Sequence, residues 1–281
     1  MGHCSATERC MRSADSGRAV FALAFVVLGL LSLFSGDFAY VWQPVPPGLP
    51  ARAVLACLSG AVMLLGGVGL LLRRTHAPAS FVLLVYTLVW LLVLHVPRVI
   101  MGPQHEVNWG GCAEIVTLVA GCWTLYACNA RPGRAPYIAA LSGANALRMA
   151  RLAFALALPL IGLEHLIYAK ETADMVPAWL PYRMGWAYVT GIAHIAAGFA
   201  MALDVLPRLA ATLEAWMMGI FTVLVWMPMV MAAPSQRFVW TGCMISLVIT
   251  AAGWIVASSY RDAPWLSFSR ARNRVIALAL R

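Results

Sequence analysis

The sequence predicts an all-α, polytopic membrane protein of eight transmembrane helices, built as two parallel four-helix repeats. Three observations carry that reading. The 281 residues are 62% hydrophobic and 11% charged, with a mean hydropathy of +0.80, whereas a soluble domain has about 25% charged residues. The apolar residues fall in eight runs, each near the length of about 20 residues that a helix needs to cross a bilayer. The last three helices of each half, with the loop before them, align without a gap at an offset of 131 residues, which takes Val45 to Val176.

The runs are Arg18–Phe34, Arg52–Leu72, Ala79–Val96, Val107–Ala127, Met149–Ala169, Met184–Leu203, Ala211–Met231 and Phe238–Ser259. In lipid each must be a helix, because only a helix satisfies its own backbone donors and acceptors. Arg9, Arg12 and Arg18 ahead of the first run also suit a secretory leader. Phe34-Ser35-Gly36-Asp37 is a poor small-residue cleavage site, however, and the repeat requires this helix, so it reads as a span. After the first helix of each half comes a Pro-rich loop, Val45-Pro46-Pro47-Gly48-Leu49-Pro50 or Val176-Pro177-Ala178-Trp179-Leu180-Pro181. Proline fixes φ and donates no hydrogen bond, so these loops should be stiff. Tyr40, Trp42, Trp179 and Tyr182 suit the membrane–water interface.

The net charge of +9 does not signal nucleic acid. With eight spans, fifteen of the 20 Lys and Arg residues fall on the side of the termini and even-numbered loops. Arg52, Arg98, Lys170, Arg183 and Arg237 fall on the other. By the positive-inside rule both termini are expected in the cytoplasm of a bacterial-type inner membrane. The bilayer is then the first partner, with anionic lipid a natural contact for the basic side. The expected divisions are a cytoplasmic segment at 1–17, a first membrane repeat at 18–128, a cytoplasmic linker at 129–148, a second repeat at 149–260 and a basic tail at 261–281.

The informative matches in the repeat are Pro, Gly, Trp and Cys, since Leu, Val and Ala align by chance in any pair of membrane helices. Pro46 and Pro50 meet Pro177 and Pro181; Gly60 and Gly67 meet Gly191 and Gly198; Pro97 and Pro103 meet Pro228 and Pro234; Trp109, Gly111 and Cys112 meet Trp240, Gly242 and Cys243. Four spans return the chain to its starting side, so the copies share one orientation about an axis along the membrane normal. Gly60, Gly67, Gly191 and Gly198 are expected at close helix–helix packing.

Gly162-Leu163-Glu164-His165-Leu166, the loop Val176–Pro181, and Tyr188-Val189-Thr190-Gly191-Ile192-Ala193-His194-Ile195-Ala196-Ala197-Gly198 follow one another in copy two. With Val223-Leu224-Val225-Trp226-Met227-Pro228, this stretch of Arg148–Met231 resembles the DoxX-like membrane family. The resemblance implies a four-helix bundle serving quinone-linked or thiol-linked redox chemistry, usually as an accessory subunit beside a redox partner protein. It makes quinone a candidate cofactor without fixing one, and leaves open whether the chain is itself an enzyme. His165 matches the family's usual histidine. His194 stands where the family often has Glu, which unsettles any transferred acid–base role.

Ionisable side chains inside a bilayer cost at least about 2.5 kcal/mol each and need a reason. The candidates for a polar pocket are Glu114, Glu164, His165, His194 and His95, expected in the outer half of the membrane. His194 has Gly191 and Gly198 on its own helix face, which turns it into the bundle. Glu164 and His165 are adjacent and point about 100° apart, so they cannot share one groove. The cluster reads either as a pocket for a quinone headgroup or a proton relay, or as interhelical hydrogen bonding that fixes packing. The histidines show no HxxxH or HxxE spacing and no metal is expected. In the gap-free alignment Glu164, His165 and His194 fall on Leu33, Phe34 and Met63 of copy one.

The seven cysteines include no Cys-x-x-Cys; Cys4 and Cys10 should be reduced, and Cys57, Cys112 and Cys243 read as small residues between helices. Phosphate-binding loops, nucleophile elbows and zinc patterns are not found in the sequence. Two other functions fit the same sequence, a small-solute transporter and a non-catalytic membrane scaffold. The spans look uninterrupted, with no matched pair of broken helices to favour the transporter.

Overall fold

The computed structural model describes residues 15–40, 42–130 and 140–268. Cys4, Cys10, residues 131–139 of the cytoplasmic linker and the tail from residue 269 onward lie outside the described residues. All described regular structure is helical: α1 Asp15–Ser35, α2 Arg52–Leu71, α3 His76–Met101, α4 Glu106–Asn129, α5 Gly143–Ile167, α6 Ala169–Met175, α7 Arg183–Ala202, α8 Pro207–Ala232 and α9 Arg237–Ser259. Seven of them, all but α6 and α7, are long and apolar enough to cross a membrane. The chain is a helical, multi-pass membrane protein. Helix α7 has the length of a span at 20 residues, but Arg183, Trp186, Tyr188 and His194 dilute its apolar character. The short α6 was not foreseen.

The duplication is written into the backbone. At the same offset of 131, the bounds of α2 and α3 fall on those of α7 and α8 residue for residue. The residue before α2, Ala51, and the residue before α7, Tyr182, both take the left-handed conformation, with φ of 53° and 56°. Trp109 and Trp240 donate their indole N–H to the carbonyls of Pro103 and Pro234, at 2.9 and 2.8 Å.

Expectation and structure part at the third span of each copy. The third apolar run ended at Val96, yet α3 runs on through Pro97 to Met101. A proline at this place lacks the N–H that would bond one turn back and crowds the carbonyl there. The helix answers with one turn of π-helix, Leu91–His95, in which the Val96 N–H reaches the Leu91 carbonyl. Copy two does the same ahead of Pro228, with a π-turn at Thr222–Trp226 and the Met227 N–H on Thr222. A matched pair of π-turns is therefore present, inside helices that stay uninterrupted as the sequence suggested. Such π-turns are frequent at functional sites.

The packing is crossed. Helix α1 lies on α2 of its own copy and on α9 of the other; α5 lies on α7 of its own copy and on α4 of the other; α4 and α9 meet at the centre. These two are the most buried spans, at 72% and 83% against 22–44% for the rest of the seven. One continuous core runs through both copies, from Phe21 and Leu28 through Ile115 and Leu118 to Phe154, Leu158, Val248 and Ile255. Lipid offers as much apolar contact as a neighbouring helix, so backbone approach at small residues must hold the bundle. A β-carbon at Gly67 would fall 2.7 Å from the Ala22 carbonyl oxygen, and one at Gly198 would fall 2.7 Å from that of Ala155. Gly60 and Gly191 make the same crossings nearer the N-terminal ends of α2 and α7, against Gly29 and Gly162.

These crossings also correct the alignment of the first helices. Gly60 meets Gly29, Ser32 and Leu33, while Gly191 meets Gly162, His165 and Leu166. The offset there is 133, with two extra residues taken up in the loop of copy one. The copy-one counterparts of Glu164 and His165 are thus Leu31 and Ser32, not Leu33 and Phe34. Met63 remains the counterpart of His194.

Candidate functional site

The five sequence-selected ionisable residues do not form one pocket. They divide between two faces of α5, because Glu164 and His165 are neighbours on that helix and point apart.

Glu164 faces copy one. Its carboxylate lies against α4 at Gly110, with Oε2 2.6 Å from where a β-carbon would stand. Glu114, one turn further along α4, joins it in lining a cavity of about 430 Å³. His95, at the end of the α3 π-turn, lines the same cavity. The indole of Trp42 donates to Glu114 Oε2 at 3.2 Å, and the Trp42 carbonyl accepts from His95 Nε2 at 2.9 Å. That bond places the ring proton on Nε2 and leaves Nδ1 as an acceptor beside Gly111. Gly111 lies in ordinary contact with the imidazole, whereas at the equivalent place in copy two Gly242 is what makes room for Trp226. Trp42 is fully buried, so it is a structural strut and not the interfacial belt residue expected of it.

The rim of the cavity is cationic and ties the copies together. Asp37 pairs with Arg52 at 2.6 Å and with Arg237 of copy two at 3.5 Å, and Arg237 also donates to the Phe38 carbonyl. Burial alone would raise the Asp37 carboxyl; the Phe38 N–H and the Arg52 and Arg237 guanidiniums outweigh it and hold it below the ordinary carboxylate range. Arg98, Phe38, Tyr40 and Val107 complete the wall. Beside Val107 stands Glu106, whose two buried carboxylate oxygens have no hydrogen-bond partner. Sequence reading passed over Asp37, Glu106 and Arg237 because each sits at a helix end or loop, where charge is ordinary.

His165 faces the core of copy two. Its Nδ1 donates to the Ile161 carbonyl at 2.9 Å, and its ring lies 5.0 Å from that of His194, centroid to centroid. His194 Nδ1 is 2.8 Å from Glu214 Oε1, and the two side chains are 2% and 1% exposed. Glu214 was missed. It lies near the start of the seventh apolar run, where a carboxylate reads as the edge of the membrane. The i+4 and i+8 positions, Met218 and Thr222, show that its helix face is the buried one, since Thr222 bonds Ser246 and Thr250 on α9.

Among the described residues no group of three or more His, Cys, Asp or Glu side chains is arranged to hold a metal ion. Cys112 and Cys243 sit at equivalent places in α4 and α9 and form no disulfide.

Fold and site together define a polytopic helical membrane protein with a duplicated four-helix unit and a polar cavity between its copies. Residues 152–257, which cover most of copy two, match the family model described as a domain of unknown function, DUF8561. No curated protein matches the chain, and no solved structure does.

Proposed function

We propose that the protein is an accessory component of membrane redox chemistry whose outer cavity takes a quinone headgroup. The observation that carries this is the cavity itself: Glu114 of copy one, Glu164 of copy two and His95 from a π-turn converge on one space, with arginines at its rim. A quinone presents two carbonyl acceptors on a flat ring and takes up protons as it is reduced. Arg98 offers donors to one carbonyl, the Glu114 and Glu164 carboxyls are the proton-handling groups, and Phe38 and Tyr40 give the ring an apolar wall. The DoxX-like features of copy two support the same class of reaction. The chain holds the headgroup and positions the protons; an electron donor or acceptor has to come from a partner.

The test is thermal protection of the purified protein in detergent by a short-chain quinone analogue. A higher melting temperature is expected in the wild type, with Glu114→Gln and Glu164→Gln each weakening the effect at least tenfold in apparent affinity, about 1.4 kcal/mol. If neither the oxidised nor the reduced analogue shifts melting, the reading fails.

The matched π-turns favour one other reading, a small-solute transporter, because irregular helices at equivalent places in two repeats mark binding sites in that class. Uptake of solute into proteoliposomes without any redox partner would decide for it.

Both readings use an inner-membrane topology of eight spans, with α7 as the sixth and both termini in the cytoplasm. The five-to-fifteen split of basic residues and the equivalence of α7 with the apolar α2 support it. Reporter fusions at the 129–148 linker and at the C-terminus should both read as cytoplasmic; opposite locations would remove one span.

A further inference from the structure

We infer that His165, His194 and Glu214 form a second functional site, a buried proton-binding site in the core of copy two, separate from the outer cavity. The ligand is the proton, and the site stands whether or not the cavity binds a quinone.

The geometry is that of a shared-proton pair with room for one more. His194 Nδ1 and Glu214 Oε1 are 2.8 Å apart. With one proton between them the pair is net neutral, either as imidazolium and carboxylate or as imidazole and carboxylic acid. Losing that proton leaves a bare carboxylate away from water, and gaining another leaves an imidazolium beside a neutral acid. Glu214 Oε2 is buried and has no hydrogen-bond partner, so the carboxyl has an open position for the second proton. The His165 ring, 5.0 Å from that of His194, adds a second imidazole whose Nδ1 is committed to the Ile161 carbonyl. Its Nε2 is left as an acceptor. The elements around the pair bring no other charge: α5 supplies His165, α7 His194 and α8 Glu214. On the α9 side the polar groups are the neutral hydroxyls of Ser246 and Thr250 on Thr222.

The chain carries its own control against a purely structural role. Copy one builds the same three-helix junction with Ser32, Met63 and Leu83 at the equivalent places, the latter two fully buried. The architecture therefore does not need an ionisable group there. Buried ion pairs are often replaced by apolar residues with no loss of stability, so packing is a poor reason for copy two to keep three titratable side chains where copy one has none.

Infrared difference spectroscopy of the full chain in lipid nanodiscs, stepped from alkaline to acid without quinone, tests the site. The wild type should gain the carbonyl band of a protonated carboxylic acid that is lost in Glu214→Gln and shifted in its titration by His194→Gln. The same band should persist in Glu114→Gln and Glu164→Gln. If Glu214→Gln does not fold, the triple variant His165→Ser/His194→Met/Glu214→Leu, made of residues copy one already carries, takes its place. A wild-type difference spectrum that survives removal of Glu214 would overturn the site. Loss of quinone protection with the Glu214 band intact would instead count against the cavity alone.

Discussion

Gly162→Ala is expected to destabilise the protein by about 1–3 kcal/mol, the usual cost of overpacking a tight contact. The added methyl would stand 2.5 Å from the Gly191 carbonyl oxygen and 2.7 Å from Ile195 Cγ1. The first of these is backbone, so it cannot swing aside; α5 and α7 have to separate. The same substitution at Gly29 meets the Gly60 carbonyl and the Leu64 backbone nitrogen, both at 2.6 Å, and should cost a similar amount by parting α1 from α2. Gly48→Ala, in the loop between α1 and α2 with open space around it, is the control and should leave stability unchanged. Unfolding by a denaturing detergent, followed by tryptophan fluorescence, measures all three. Wild-type stability in Gly162→Ala would mean that backbone approach at these crossings does not hold the bundle.

These glycines show how far the sequence could be read. Hydropathy marks where lipid must be, because a bilayer leaves the chain few alternatives to a helix. The repeat was legible because Pro, Gly, Trp and Cys do backbone or packing work that Leu and Val do not, and each such residue turns out to have its partner twice. Gly67 and Gly198 each admit a backbone carbonyl of the crossing helix; Pro97 and Pro228 sit just beyond the π-turns. What one sequence cannot express is which copy a helix leans on. The crossing of α1 onto α9 depends on contacts more than two hundred residues apart, and α5 leans on a helix that belongs to the other copy. That crossing places Glu164 beside Glu114 and separates it from its neighbour His165. Trp42 was misjudged for a related reason. An aromatic residue in an outer loop usually floats at the interface, but this one is turned inward by two hydrogen bonds that only the folded bundle can offer. Glu214 escaped because it stands close to a helix start, where charge is ordinary, and its partner His194 lies on a different helix.

The largest single-residue effect is expected from His194→Met. Glu214 would keep its carboxyl in a site that is 1% exposed but lose the hydrogen bond from His194, its one partner among the described residues, and breaking a buried pair from one side costs about 3–5 kcal/mol. Glu214→Leu alone should cost less, because the imidazole left behind can stay neutral. The double variant His194→Met/Glu214→Leu should regain most of the loss, since Met63 and Leu83 already fill the equivalent places in copy one. A double-mutant cycle in the unfolding assay then gives a coupling well above the about 0.5 kcal/mol within which independent sites add. Additive losses would mean that the two side chains do not act as a pair. The cycle also bears on why copy two differs from copy one. If stability returns in the double variant while the acid-induced carboxylic band is gone, the pair is dispensable for folding and its buried charge is kept for the proton. If stability does not return, His194 and Glu214 have become part of how α7 and α8 pack, and copy two has diverged too far for the residues of copy one to fit it.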